Sequence, residues 1–171
     1  EGHLARSYYK LEQIDLKFRL LRPGFRVLDL GASPGSWLEY ILSRIGDRGV
    51  ACVVDVQPIA KALQAKVHFL QSDVRTLPAD AFAGLVARFD VVVSDMAPNT
   101  SGIRIVDQAR SLELCEAAFG FATGRLESGG RFLCKIFEGP DLIDFRKRLE
   151  TCFLKVKVHK PDASREESME T

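Results

Sequence analysis

Asp29-Leu-Gly-Ala-Ser-Pro-Gly-Ser-Trp37 is the stretch whose reading decides the fold. A short apolar run, Phe25–Leu30, leads into it and a helix-like pattern, Trp37–Ile45, leads out, so this glycine-rich turn joins a strand to a helix. Gly31 and Gly35 permit tight backbone geometry and close approach of a ligand. The helix start behind them offers N–H groups that have no partner within the helix. A βα unit with a small-molecule site in its turn is the expectation, and the alternative is an ordinary βα turn that binds nothing.

Outward from the turn, strand-like runs follow at Val50–Val56, Val67–Leu70, Phe89–Asp95, Gly130–Phe137 and Cys152–Val158. Most are apolar on both faces, as in a parallel sheet covered on both sides. Helix-like patterns at Ile59–Gln64, Ala79–Ala87, Val106–Leu126 and Leu142–Thr151 alternate with them, and a short amphipathic segment, Leu4–Ile14, precedes the first strand. Alternation of this kind predicts an α/β domain with a doubly wound, mostly parallel sheet. The length of 171 residues fits a single domain, 1–171, and 46% hydrophobic residues suffice for its core. Residues 1–24 read as an N-terminal helix and lead-in, and 25–171 as the core.

Composition narrows the function. The four cysteines are widely spaced, with no Cys-x-x-Cys pair, which disfavours a metal site and suits mostly buried free thiols in a reducing cytoplasm. No apolar run approaches the ~18 residues of a membrane span. A soluble cytoplasmic protein is expected. The net charge of +1 means that any attraction to nucleic acid comes from local patches.

Three chemistries compete for the turn. A dinucleotide fingerprint needs a second glycine where Ser33 stands, followed by Pro34, so the diphosphate cradle is degraded. A nucleophile elbow fits the letters Gly31-Ala-Ser-Pro-Gly35, but its oxyanion hole uses the N–H of the residue after the serine, and Pro34 has none. S-adenosylmethionine, with a carboxylate, a ribose and an adenine but no phosphate, tolerates both features. Ligands in such folds sit outside the carboxyl ends of the strands. Asp29, Asp55, Asp73 and Asp95 each close a strand there. Asp55 lies about twenty residues past the turn, the offset of an acid that takes ribose hydroxyls, and Asp73 is placed to meet an adenine amino group. Any one of Asp29, Asp55 or Asp73 could instead cap a helix. Lys135 interrupts the apolar Phe132–Phe137, where it either snorkels to solvent or serves as a base.

Five segments together resemble a known family: Tyr8-Tyr-Lys-Leu-Glu-Gln-Ile14, Val27 to Trp37, Val93-Ser-Asp-Met-Ala-Pro-Asn-Thr-Ser-Gly102, Cys134-Lys-Ile-Phe-Glu-Gly139 and Val156 to Arg165. They are similar to the FtsJ-type RNA ribose 2′-O-methyltransferases over nearly the whole chain. The resemblance implies a Rossmann-like class I S-adenosylmethionine-dependent methyltransferase fold. It implies methyl transfer to a ribose 2′-hydroxyl, with a uridine of large-subunit ribosomal RNA as the nearest match and transfer RNA or a messenger cap as alternatives. It also implies a catalytic set of Lys10, Asp95, Lys135 and Glu170. The cofactor set is the turn (Asp29, Gly31, Ser33, Pro34, Gly35, Trp37) with Asp55, Asp73 and Asp95. Ser33 and Ser36 depart from a commoner alanine and glycine without removing a functional group.

On this reading Lys135 is the base, Lys10 lowers its pKa or steadies oxyanion charge, and Asp95 orients the amine. RNA would lie over Arg6, Tyr8, Arg146, Lys147, Arg148, Lys157 and Lys160. Phe145–Lys160 carries six basic residues against Glu150 alone. Tyr8 and Tyr9 could stack on a base, with Tyr9 equally suited to packing beneath the helix. The partner would be ribosomal RNA or the large ribosomal subunit, met by a monomer with no membrane involved. Two other readings stay open: a nicotinamide-dependent oxidoreductase, and an RNA-binding module with an inactive site.

Overall fold

The computed structural model describes residues 2–162 and 170–171, with side chains from Arg6 onward. Five parallel strands form its centre: β1 (Arg26–Leu30), β2 (Val50–Asp55), β3 (His68–Gln71), β4 (Phe89–Ser94) and β5 (Leu126–Cys134), in the order β3-β2-β1-β4-β5. The doubly wound expectation holds. Strand order reverses between β1 and β4, and the Gly31–Gly35 turn leaves β1 at that crevice.

Alternate residues of the strands face two cores. Val27, Val53, Val91 and Val93 pack with Leu11 and Ile14 of α1 (Gly2–Phe18) and with Leu38 and Ile41 of α2 (Ser36–Ile45). Leu28, Leu30, Cys52, Val54 and Val92 pack with Ala118 and Ala122 of α4 (Arg104–Arg125). Two short or late helices, α3 (Lys61–Gln64) and α5 (Leu142–Glu150), complete the order. Burial of Trp37, Leu38, Tyr40, Ile41 and Ile45 recurs at helical spacing, so the apolar stripe of α2 dictates which face meets the sheet.

Helix α1 is locked onto α2 through Asp15, only 1% exposed, which accepts from Leu21 N at 2.7 Å, Tyr40 Oη at 2.8 Å and Arg44 Nε at 2.9 Å. Trp37 Nε1 adds a bond to Ser7 O at 3.0 Å. These contacts place α1 beside the crevice.

Three sequence expectations change. Ala79–Ala87 is not helical; it runs through turns whose carbonyls Ala79, Ala81, Val86 and Ala87 accept from the buried guanidinium of Arg125 at 3.0, 2.6, 2.7 and 3.3 Å. Those bonds satisfy oxygens that a helix would have satisfied internally. Strand β5 starts at Leu126 instead of Gly130, with a register irregularity between Phe89↔Leu126 and Val91↔Arg131 that Gly129, at φ 77, helps to turn. Cys152–Val158 is not a strand; beside the end of β5 the pairing positions are taken by Glu170 and Thr171, through Ile136 N to Thr171 O at 2.9 Å and Thr171 N to Ile136 O at 2.8 Å. All four cysteines are free thiols, but Cys152 is exposed and Cys134 half-buried. Among the described residues no helix is long and apolar enough to cross a membrane, and no cluster of three potential ligands could hold a metal.

Candidate active site

The turn after β1 is built for close approach. Gly31, at φ 81, donates to Val54 O at 2.8 Å, and a Cβ there would fall 2.3 Å from Met96 Cγ and 3.1 Å from the Met96 backbone. Only glycine fits. Gly35, at φ 124, opens α2 in place of a side-chain cap, so Asp29 is not the helix cap it could have been. Ser33 N donates to Asp55 Oδ2 at 2.8 Å and Gln57 N to Asp55 Oδ1 at 2.7 Å. Asp55 therefore ties the turn to the tip of β2, and each of its oxygens keeps a free lone pair. Ser33 Oγ reaches Pro58 O at 3.3 Å, and Ser33-Pro34 is a cis peptide.

Asp29 lies beneath the turn, 1% exposed, with no hydrogen-bond partner on either oxygen. Burial, and then the neighbouring carboxylates Asp95 and Asp55, push its pKa well above the ordinary aspartate value. Three acids thus converge where the strand order reverses. A pyrophosphate would meet the like charge of Asp55 and Asp95 there; a ligand bearing a cation and hydroxyl or amino donors fits. Adenosylmethionine is of that kind, with the turn, Asp29, Asp55 and Asp95 as the residues that would hold it.

Asp73 follows β3 and is the N-cap of a single 3-10 turn, Val74–Thr76. Arg75 grips it, with Nη2 2.6 Å from Oδ2 and Nε 3.0 Å from Oδ1, and the Arg75 guanidinium holds the Asp73 carboxyl below its usual value. The cap alternative thus holds for this acid, whose part in the cofactor pocket stays a proposal. Trp37 is 5% exposed and its indole N–H is bonded to Ser7 O, so it forms wall and not a free stacking surface.

On the other side of β4 stand the four residues that the resemblance grouped. Lys135 follows β5 directly and extends its ladder through Lys135 N to Ser94 O at 2.9 Å. Lys135 Nζ is 2.8 Å from Asp95 Oδ1, 3.2 Å from Asp95 O and 3.5 Å from Glu170 Oε1, and Lys10 Nζ is 2.9 Å from Glu170 Oε2. The antiparallel bridge Phe137↔Glu170 brings that glutamate in, and α1 supplies Lys10. The structure brings the four side chains into one chain of contacts. Burial disfavours the charged form of Lys135, but Asp95 and then Glu170 outweigh it, so its pKa is raised. Burial likewise works against charge on Glu170, yet Lys135 and Lys10 bring its pKa below the usual value. The expectation that Lys10 lowers the pKa of Lys135 is corrected: Lys10 faces Glu170, and the two carboxylates dominate. Lys135 rests as an ammonium.

Two residues escaped the sequence reading. Ser7 Oγ donates to Asp95 Oδ2 at 3.1 Å, leaving Oδ1 for Lys135. Asp107, in the first turn of α4, accepts from Ser101 N at 2.7 Å, Ser101 Oγ at 2.8 Å and Gly102 N at 3.2 Å, and so shapes the loop that leaves Asp95. An acid six residues past Ser-Gly was the available signal for Asp107; Ser7 carried none.

The RNA-facing expectations fare unevenly. Tyr8 packs against the core with its ring 5.2 Å from Tyr40, while Tyr9 is 52% exposed, so of the two it is Tyr9 that presents its ring to solvent. On α5, Arg146 pairs with Glu150 at 2.9 Å, Lys147 with Asp144 at 3.1 Å and Arg148 with Glu116, so each basic residue of that helix has an acidic partner, and the excess positive charge read from that window is carried by Lys155, Lys157 and Lys160 beyond it. Lys157 is exposed, whereas Arg6 and Lys160 are half-buried. Ser164 and Arg165 lie outside the described residues. A cleft of about 1170 Å³ runs along β5, lined by Lys10, Trp37, Asp95, Lys135 and Glu170 at one end and by Lys155 and Lys157 further along.

The same architecture is found in solved structures. A Plasmodium falciparum protein whose crystal structure is described as a ribosomal RNA methyltransferase superposes with a TM-score of 0.84 at 24% identity, covering 92% of this chain and 91% of that one. Aeropyrum pernix fibrillarin, crystallised with natively bound S-adenosyl-L-methionine, matches with a TM-score of 0.53 at 19% identity over 75% of this chain and 52% of that one. Fold and site together define the class, a Rossmann-like α/β methyltransferase. More narrowly, the chain belongs to the FtsJ-like methyltransferase family, whose model matches residues 4–171. Proteins named ribosomal RNA large subunit methyltransferase E are 47% identical to it in Bdellovibrio bacteriovorus, over 99% of this chain and 88% of that one. In Azoarcus sp. the figure is also 47%, over 99% of this chain and 83% of the other.

Proposed function

We propose that this protein transfers a methyl group from S-adenosylmethionine to a ribose 2′-hydroxyl of RNA, with a uridine of large-subunit ribosomal RNA as its substrate. The observation that carries the reading is the Lys10–Glu170–Lys135–Asp95 chain of contacts set directly beside the glycine turn and its acids. The cofactor, when bound, supplies an electrophilic methyl carbon. The turn and Asp55 hold it, with Asp73 at the adenine end once Arg75 shares that carboxylate. Lys135 accepts the hydroxyl proton. It must first lose its own, and it does so more readily when Asp95 also faces a cationic ligand. Lys10 and Glu170 position the ribose and Ser7 fixes Asp95. Alignment alone contributes several kcal/mol, within the ~7–11 kcal/mol ceiling for orientation.

Arg6, Lys157 and Lys160 supply phosphate contacts, with smaller contributions from Arg146, Lys147 and Arg148. The protein acts as a monomer in the cytoplasm, on ribosomal RNA or the large subunit, since one chain contributes all four catalytic residues. The carboxylates of Asp55 and Asp95 speak against a nicotinamide dinucleotide, and the complete tetrad speaks against an inactive module. Incubating ribosomal RNA with the protein and methyl-labelled adenosylmethionine tests the reading: label is expected on ribose, and binding of adenosylmethionine without transfer to any RNA would support the inactive module instead.

A further inference from the structure

Asp29 does something that the catalytic chain of contacts does not explain. It sits mid-sheet on β1, flanked by Val53 of β2 and Val93 of β4, with both oxygens buried and unpartnered. The charged groups that bear on it are Asp55, from the tip of β2, and Asp95, from the tip of β4; both are acids. Asp95 is compensated by Lys135 and Ser7, and Asp55 by two backbone amides. Asp29 has neither kind of partner. An ionised carboxylate so placed would bear a desolvation cost that nothing nearby offsets.

We propose that Asp29 is a charge-sensing specificity residue: neutral in the ligand-free protein, it releases its proton when a ligand of net positive charge enters, so the site holds adenosylmethionine in preference to the demethylated product. The inference rests on the adenosylmethionine reading above. On entry of the sulfonium the Asp29 O–H bond breaks, and the proton leaves to solvent. On methyl transfer the C–S bond breaks, its electron pair stays on sulfur as a neutral thioether, and Asp29 takes a proton back from solvent. The site thereby follows the charge of its occupant, and the spent cofactor loses the attraction that held the fresh one.

Calorimetric titration of the whole protein with adenosylmethionine and with S-adenosylhomocysteine, in buffers of different ionisation enthalpy across the pH range where it stays folded, reads this directly. Below the pKa of the buried acid, adenosylmethionine should release up to one proton and tighten by about tenfold per pH unit. The homocysteine product, which carries the same amino acid and nucleoside, should release fewer protons, so the affinity ratio of the two climbs with pH. Asp29→Asn should flatten that ratio while leaving the thermal midpoint of the ligand-free protein no lower. Should that variant fail to fold, the wild-type proton counts and the loss of a protonated-carboxyl infrared band on binding decide alone. Equal proton counts for both ligands, or none for either, would overturn the inference. Failure of adenosylmethionine to bind at any pH would overturn the cofactor reading and this inference with it.

Discussion

Lys135 carries the chemistry in this account, and its surroundings set a demanding condition. Asp95 and Glu170 hold it as an ammonium, so the fraction able to accept a proton grows with pH. Turnover at saturating RNA and cofactor should therefore rise from neutral into alkaline buffer; a profile that falls over that interval would remove Lys135 from the role of base. Lys135→Ala should bind adenosylmethionine yet lose turnover by about 10²–10⁴-fold. Lys135→Arg should be nearly as damaging, because a guanidinium keeps the charge and cannot take the proton; near wild-type single-turnover rates in that variant would make the residue an electrostatic one. The sign of the stability effect follows from the same contacts. Glu170, with its pKa lowered, adds stability above the ordinary value of 4.5 that is lost as pH falls through its folded value. Lys135, raised from 10.5, adds stability below that value that is lost as pH climbs. Glu170→Gln should accordingly narrow the loss of stability on acidification, measured as the thermal midpoint against pH.

At the scale of elements, α1 is the piece whose placement matters most, because it brings Ser7 and Lys10 to a sheet it does not belong to. Asp15 is its anchor. Asp15→Ala should leave Tyr40 Oη and Leu21 N unpartnered in the core and cost about 3 kcal/mol in a denaturant titration; a change within about 0.5 kcal/mol would mean that the anchor lies elsewhere. The alternation of strand and helix, the glycine turn and the acids at strand ends were legible because each rests on local chemistry. Ala79–Ala87 was not, since its apolar spacing reads as a helix while the bonds that decide its path come from Arg125, dozens of residues later. Cys152–Val158 misled in the opposite way: its residues favour a strand, but strands need a partner, and the end of β5 pairs with Glu170 and Thr171.

Over the whole molecule, legibility of the site followed sequence distance. Asp55 stood out by its offset from the turn and Asp73 by its place after a strand, both local signals. The meeting of Lys10 with Glu170, 160 positions apart, came from resemblance alone, because no spacing rule links the first helix to the last residues. Charge counting within one window failed on α5 for the same reason: Arg148 is paired with Glu116 of α4, outside the window counted. RNA affinity should therefore respond more to Lys155→Glu and Lys157→Glu, which change exposed lysines, than to reversal at Arg146 or Lys147. Each lost phosphate contact should lower the slope of log affinity against log salt by about 1. Equal effects from both sets would restore α5 to the interface.

The identity of the acceptor atom decides what this protein does. Large-subunit ribosomal RNA, incubated with the protein and adenosylmethionine bearing a trideuterated methyl group, can be digested to nucleosides and analysed by mass spectrometry. The labelled methyl is expected on the ribose of a uridine, present with the wild-type protein and absent with Lys135→Ala. Label on a base, or on ribose at equal yield in both proteins, would contradict it.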